Sequence, residues 1–444
     1  MRLKYFGLVS AAASKTPSTR NRVVDAWRVV ALAFVVFGHW ISASIWVTDD
    51  GTVKALNTLE WIPNGDYWTW LFQVMPIFFL VGGYANAVAL ERDNTNAGDW
   101  ILARVRRLYT PVVPLIVVWV GLVLALRPFV TDNVLHTGTL SATIPLWFVA
   151  VYLTVIVIAP ITYRWWRSWG PWSVLALGAA AITVDVVRFQ LDIESIGWLN
   201  YIFVWAFLHQ VGYWWREREI SDLRTPPRVG LALVVAGLAL LAMTTTVGWY
   251  PVAMVTIPGG GTTNMIPPTF ANGFLGIAQV GLIILTMARM RNMTKNLRVW
   301  TTVVAASASM MTIYLWHLTA LSLVGAAGIF IANGWLFSFE PGSGSWWLMR
   351  VPFFTLLAIV TIGLIGVFGR FEHAINSAPS LLPKPVVWFG IACAIASVSL
   401  MAFVGIVTRD ATINWYIPAV ALVGAGLTGS IPRRRRSLNP ESSL

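Results

Sequence analysis

Three residues in the first apolar stretch of this 444-residue chain stand at spacings that could support chemistry: Asp25, Arg28 and His39. Read as one helix, Arg28 and His39 are eleven positions apart, close to three whole turns, so both face the same side. Their axial separation is roughly 16 Å. With Arg28 at a membrane boundary, His39 falls near the middle of a hydrocarbon core about 30 Å thick. A neutral imidazole at that depth can take a proton from a hydroxyl, and ionisable groups inside a membrane helix are functional candidates by default. The competing assignment for His39 is a buried histidine bonded to a neighbouring helix. Asp25 lies three positions before Arg28, the spacing of an intrahelical ion pair that would orient the guanidinium. Alternatively, it is an ordinary helix-start carboxylate.

A second basic group, Arg104-Val-Arg106-Arg107, puts Arg104 and Arg107 on one helix face, where two forks could hold an anion. The same charges also have the form of a topology signal. Two further histidines lie in apolar runs. His209 follows Trp205-Ala-Phe-Leu, and His317 shares a helix face with Tyr314. Zinc sites usually draw two ligands from one local motif, whereas His39, His209 and His317 each stand alone on a separate run, so no metal site is expected. The single Cys393 excludes both a disulfide framework and a thiolate cage. The glycine-rich stretch at 258–261 lacks the Lys and Ser/Thr of a phosphate loop, and reads as a flexible outer rim.

These side chains must be carried by membrane helices. The chain is 57% hydrophobic and 11% charged, with a mean hydropathy of +0.69. A soluble domain keeps about a quarter of its residues charged, so here lipid must cover much of the surface. The 25 Trp suit many helix ends at the membrane–water interface. Apolar runs near 26–47, 68–90, 109–127, 144–163, 171–187, 198–215, 229–248, 270–288, 301–331, 348–369, 386–407 and 413–431 predict an all-α polytopic bundle of about twelve spans. The ninth run is long enough to begin as an interfacial segment. Basic residues crowd alternate connections: Arg92, Arg104, Arg106 and Arg107; Arg164 and Arg167; Arg216, Arg218, Arg224 and Arg228; Arg289, Arg291, Lys295 and Arg298; Arg370 and Lys384; Arg433 to Arg436. The intervening connections hold Asp49, Asp50, Glu60, Asp66, Asp132, Asp192, Glu194 and Glu340. This alternation predicts a plasma-membrane protein with both termini cytoplasmic. It also accounts for the net charge of +12 without nucleic acid. Residues 1–24 read as a cytoplasmic tail. Cleaving them as a signal peptide would leave Arg20 and Arg22 on the wrong side of that alternation.

In these residues the chain resembles the bacterial acyltransferase 3 family of membrane O-acyltransferases, over roughly residues 20–372. Asp25, Arg28 and His39 match an Asp, an Arg three later and a His after ten intervening residues. Phe78-Phe79-Leu-Val-Gly82-Gly83-Tyr84 resembles the family's phenylalanine-rich second span, with Gly82 where Ser is usual. Arg104 and Arg107 match its Arg-x-x-Arg. Leu146-Trp147-Phe148, with Pro160 closing the span, and Tyr314 with His317 match its later motifs. Each motif is short, but five in order are specific.

The resemblance implies transfer of an acyl group, acetyl from acetyl-CoA by default, across the bilayer to a hydroxyl of a carbohydrate or glycolipid at the outer face. Acyl-CoA is then a co-substrate and no cofactor is bound. Asp25, Arg28 and His39 would be catalytic, with His39 as general base or acyl relay. Arg28, Arg104 and Arg107 would bind the donor's phosphates, and Trp147, His209, Tyr314 and His317 would line the site. The expected organisation is a tail (1–24), a ten-helix acyltransferase domain (25–372), two additional spans (373–432) and a basic tail (433–444). The rival class is a secondary transporter or flippase, which also uses midplane ionisable residues. The chain shows no repeat between halves and no pair of broken helices in its favour.

Overall fold

The computed structural model describes residues 10–11, 13–17, 20–48, 53–92, 96–221, 225–255, 262–331, 334–375 and 378–432. Among the features named above, residues 1–9, Asp49, Asp50, Arg224, the 258–261 stretch and 433–436 lie outside the described residues.

Asn21 opens the first helix, α1 (Arg22–Ser42), by accepting from the amides of Val23 and Val24. This satisfies donors that a helix start otherwise leaves over. The helix stops at Ser42, short of the predicted 47. Ala43–Val47 (β1) is instead a strand, paired antiparallel with Val53–Asn57 (β2), with Ala43 opposite Asn57. Ser-Ile-Trp-Val is as apolar as a helix end but richer in strand formers, and hydropathy does not separate the two. The predicted second span is likewise two helices, α2 (Gly65–Phe72) and α3 (Met75–Arg92). At the break, the Gln73 side chain accepts from the Met75 amide at 3.2 Å. Pro76 sits in the first turn of α3, where its missing N–H costs nothing.

The chain continues through α4 (Ala97–Tyr109), α5 (Val112–Leu126), α6 (Asp132–Thr143), α7 (Leu146–Trp169), α8 (Pro171–Gln190), α9 (Asn200–Ile220), α10 (Pro227–Thr246) and α11 (Ala271–Met293). The predicted run at 301–331 divides at Ser309 into α12 (Leu297–Ala308) and α13 (Met310–Phe330). A distant carboxylate caps the new start: Glu372 accepts from the amides of Met311 and Thr312, both at 3.0 Å, and from the Thr312 hydroxyl at 2.8 Å. The last helices are α14 (Gly344–Glu372), α15 (Lys384–Val404) and α16 (Tyr416–Thr428).

Ten helical segments among the described residues are long and apolar enough to cross a membrane. The other two predicted spans are also helical. α9 has the length, but His209, Gln210 and the Arg216-Glu-Arg-Glu219 end dilute its hydropathy, and α16 is apolar but only 13 residues long. The protein is an all-α multi-pass membrane bundle with one small hairpin among its described residues.

Two compact units make up the chain. One comprises Met1–Asn94, Val157–Met310 and Gly325–Phe354; the other comprises Thr95–Ile156, Met311–Val324 and Thr355–Leu444. In the first unit α3 and α9 cross at two glycines. A Cβ on Gly83 would lie 1.8 Å from the carbonyl oxygen of His209, and one on Gly212 would lie 2.1 Å from that of Leu80. Only bare backbone permits that approach. Phe79 stacks on Trp205 beside the crossing, ring centroids 4.6 Å apart. Helix α1 packs against α3 and α12. In the second unit α15 and α16 pack on each other, and both contact α4.

Candidate active site

The N-terminal end of α1 holds a charged network within the first unit. Asp25 is buried, and its carboxylate accepts from Arg20 Nε at 2.6 Å while lying 3.5 Å from Arg28 Nη1. Two cations thus share one carboxylate, and the half-buried Arg28 holds the looser contact. Asn21, the cap of α1, also donates to Glu219 on α9 at 2.9 Å, and the hydroxyl of Tyr84 on α3 donates to the same carboxylate. The helix start that carries Asp25 and Arg28 is therefore tied through Asn21 and Glu219 to α9, which Tyr84 of α3 holds as well. Three turns on, His39 is half-buried, and its ring donates to the Val35 carbonyl one turn back. That bond assigns the ring hydrogen to one nitrogen and leaves the other as the acceptor.

His209, also in the first unit, is buried on α9 with Nε2 3.0 Å from Asn86 Nδ2 on α3. Its ring meets Tyr213 edge-on at 5.0 Å, and Gln210 donates to the Thr162 carbonyl at 2.9 Å. These neutral bonds form a polar layer that ties α3, α7 and α9 together. Sequence reasoning missed Asn86. Its signal is a lone amide in the apolar run of α3, where a side chain must find a partner or incur the cost of desolvation. In the connection after α10, Tyr250 donates to Asp185 at 2.8 Å. Burial, and then the Asp185 carboxylate, push the Tyr250 phenol well above its ordinary range, so it stays a donor.

The second unit separates the basic residues of α4. Arg106 is buried and donates to the carbonyls of Thr428 at 2.6 Å and Ala378 at 2.5 Å. Tyr109, one turn on, donates to the Ala421 carbonyl at 3.0 Å and lies 2.9 Å from the Ser397 hydroxyl. The two last helices thus hold α4 in place. Arg104 rests its guanidinium 3.6 Å above the Trp100 ring and donates to the Trp100 carbonyl at 3.3 Å; Arg107 is exposed. In the same unit Tyr314 donates to the Pro145 carbonyl at 2.9 Å and meets Phe148 edge-on at 5.3 Å. His317 Nδ1 lies 2.7 Å from the Tyr314 carbonyl, both residues are buried, and Trp147 is half-buried beside Phe148. The Leu146-Trp-Phe and Tyr314–His317 motifs are therefore neighbours in space. Of the predicted site residues, Asp25, Arg28, His39 and His209 belong to the first unit, and Arg104, Arg107, Trp147, Tyr314 and His317 to the second. Among the described residues no three His, Cys, Asp or Glu side chains gather as a metal site would require.

Comparison with known proteins returned one result that bears on this arrangement. Residues 21–370 match the acyltransferase domain of the acyltransferase 3 family. No curated protein and no solved structure matches the chain. The matched segment takes in every residue of the two motif clusters, whereas α15 and α16 lie beyond it. With well over half of its length matched, the chain belongs to the acyltransferase 3 family and is a membrane-embedded acyltransferase.

Proposed function

We propose that this protein moves an acetyl group from cytoplasmic acetyl-CoA to a hydroxyl of a carbohydrate or glycolipid at the outer face of the plasma membrane, with both termini in the cytoplasm. The observation that supports this most is the layout of α1. A carboxylate-held arginine stands near its start, and three turns deeper stands a histidine whose ring is tautomerically fixed by Val35. In the proposed reaction the ring nitrogen of His39 that does not donate to Val35 takes the proton of the acceptor hydroxyl. The oxygen attacks the thioester carbon, the C–O bond forms, the C–S bond breaks, and the leaving thiolate takes up the proton. In the relay version His39 itself is acylated first and then deacylated by the hydroxyl. Asp25 orients Arg28, and Arg28, Arg104 and Arg107 are the proposed cations for the donor's phosphates, for which the guanidinium fork is suited. Trp147, His209, Tyr314 and His317 are the proposed supporting groups; the last three already hold neutral hydrogen bonds. Helices α15 and α16 act in this account as a brace for α4 through Arg106 and Tyr109.

The test is direct. Purified protein in lipid nanodiscs is given acetyl-labelled acetyl-CoA and an envelope glycan and glycolipid fraction. Label should appear as an alkali-labile ester on the fraction, with free CoA released in step. Intact acetyl-CoA after incubation with that fraction would favour the transporter reading.

A further inference from the structure

Arg350 is the least explained charge in the first unit. It lies in the second turn of α14 and is 7% exposed, so more than nine-tenths of it is buried. Nη1 donates to the Ala43 carbonyl at 2.9 Å, and Nη2 to the Thr58 hydroxyl at 3.3 Å. The guanidinium lies 3.8 Å over the Trp346 ring, while Nε is buried and has no hydrogen-bond partner among the described residues. Every described partner is neutral. No described carboxylate pairs with Arg350, although Glu60, Asp66 and Glu340 in neighbouring connections are exposed. Ser44, which follows Ala43, is 2% exposed and its hydroxyl is also without a partner.

A buried guanidinium with neutral acceptors and an unused donor is costly on its own. As a strut it would be replaced at little loss by an uncharged donor. As an anion site it has what it needs: a planar fork fixed by stacking, two N–H groups already committed to backbone and hydroxyl, and a further donor unspent. Its place in the fold says which substrate carries the anion. Ala43 follows the last turn of α1, four residues past His39 and at the end opposite Arg28, so the carbonyl that Arg350 holds is roughly 6 Å further along the axis than His39. Trp40 and Phe354, one residue from His39 and four from Arg350, pack with ring centroids 6.4 Å apart, so α14 and α1 meet there. A charge at this point is on the acceptor side of His39, about one sugar unit away.

Building on the acyl-transfer reading above, we propose that Arg350 is an oxyanion anchor for the acceptor, which is therefore an acidic saccharide carrying a carboxylate or a phosphate. The hydroxyl to be acylated then reaches His39 while the anion is held by Arg350.

The probes are glucuronate, glucose 1-phosphate and glucose, titrated into the full-length protein in nanodiscs at constant ionic strength, with binding read from the thermal unfolding midpoint. Glucuronate or glucose 1-phosphate should raise the midpoint and glucose should not; which of the two does so identifies the anion. Arg350→Gln should weaken the binding anion about 10- to 100-fold, and Arg350→Lys, which keeps the charge but not the fork, should still weaken it several-fold. No anion-specific shift in the wild type overturns the proposal. So does an equal anion affinity in Arg350→Gln or, should that variant fail to fold, in Arg350→Lys. Consumption of acetyl-CoA by the same wild-type preparation reports on acyl transfer separately. Consumption without anion binding leaves the acyltransferase mechanism standing and removes the anchor; anion binding through Arg350 without consumption does the reverse.

Discussion

Replacing Gly83 by alanine tests whether the glycine pair in the α3–α9 crossing is a packing device. The added Cβ would lie 1.8 Å from the His209 carbonyl oxygen, against an ordinary Cβ contact of at least 3.4 Å, so α9 must retreat by roughly 1.6 Å. That retreat stretches the 3.0 Å contact between Asn86 and His209 past hydrogen-bonding range. Overpacking costs about 1–3 kcal/mol, and two buried polar groups left without each other add about 1–3 kcal/mol. The expected loss is therefore about 2–6 kcal/mol, a large share of the stability of a typical domain. The control is Gly121→Ala on α5, where a Cβ would meet nothing within 4 Å. There, relief of glycine's unfolded-state entropy should leave stability unchanged or raise it by about 0.5–1 kcal/mol. The assay is the unfolding midpoint by tryptophan fluorescence and the monodisperse yield from size exclusion, for both variants side by side. A Gly83→Ala protein as stable as Gly121→Ala would refute the close crossing and, with it, the local frame around His209.

Three further outcomes follow from the proposed chemistry and topology. Arg104→Ala and Arg107→Ala should each raise the KM for acetyl-CoA by about 10- to 100-fold, from the loss of one charged contact to phosphate, with little change in the unfolding midpoint. Arg107→Lys should also lose activity if the contact is a two-pronged one. Arg106→Ala should behave in the opposite way, lowering the unfolding midpoint, because its guanidinium holds the Thr428 and Ala378 carbonyls. A reporter fused after Leu444 should read as cytoplasmic, since basic residues crowd every connection assigned to that side; an exported reporter would mean an odd number of crossings.

Much of this architecture is legible in the residues because membrane burial leaves few choices. Apolar runs place most helices, and helical periodicity alone puts Asp25 beside Arg28, three turns from His39. What was not legible depends on partners far away in the chain. The break at Ser309 is invisible in an apolar run until Glu372, more than sixty residues on, caps the helix that follows. The strand Ala43–Val47 has helix-like hydropathy, and only its pairing with Val53–Asn57 distinguishes it. Among the site residues, Arg106 looks interchangeable with Arg104 and Arg107 in sequence, yet burial gives it a different task. Arg350 and Asn86 went unnoticed at the edge or interior of apolar runs. A polar side chain there is a signal only once its surroundings show whether it is satisfied.

The central claim rests on His39, and one comparison tests it most directly: acetyl transfer from labelled acetyl-CoA to the envelope fraction by wild type, His39→Ala and His39→Gln at matched expression and folding. Glutamine keeps hydrogen-bonding capacity but cannot take and return a proton near neutral pH. The account predicts that both variants lose transfer entirely while remaining monodisperse. Substantial turnover in His39→Gln would contradict it, making His39 a structural histidine and moving the chemistry to another group, His317 or His209 first.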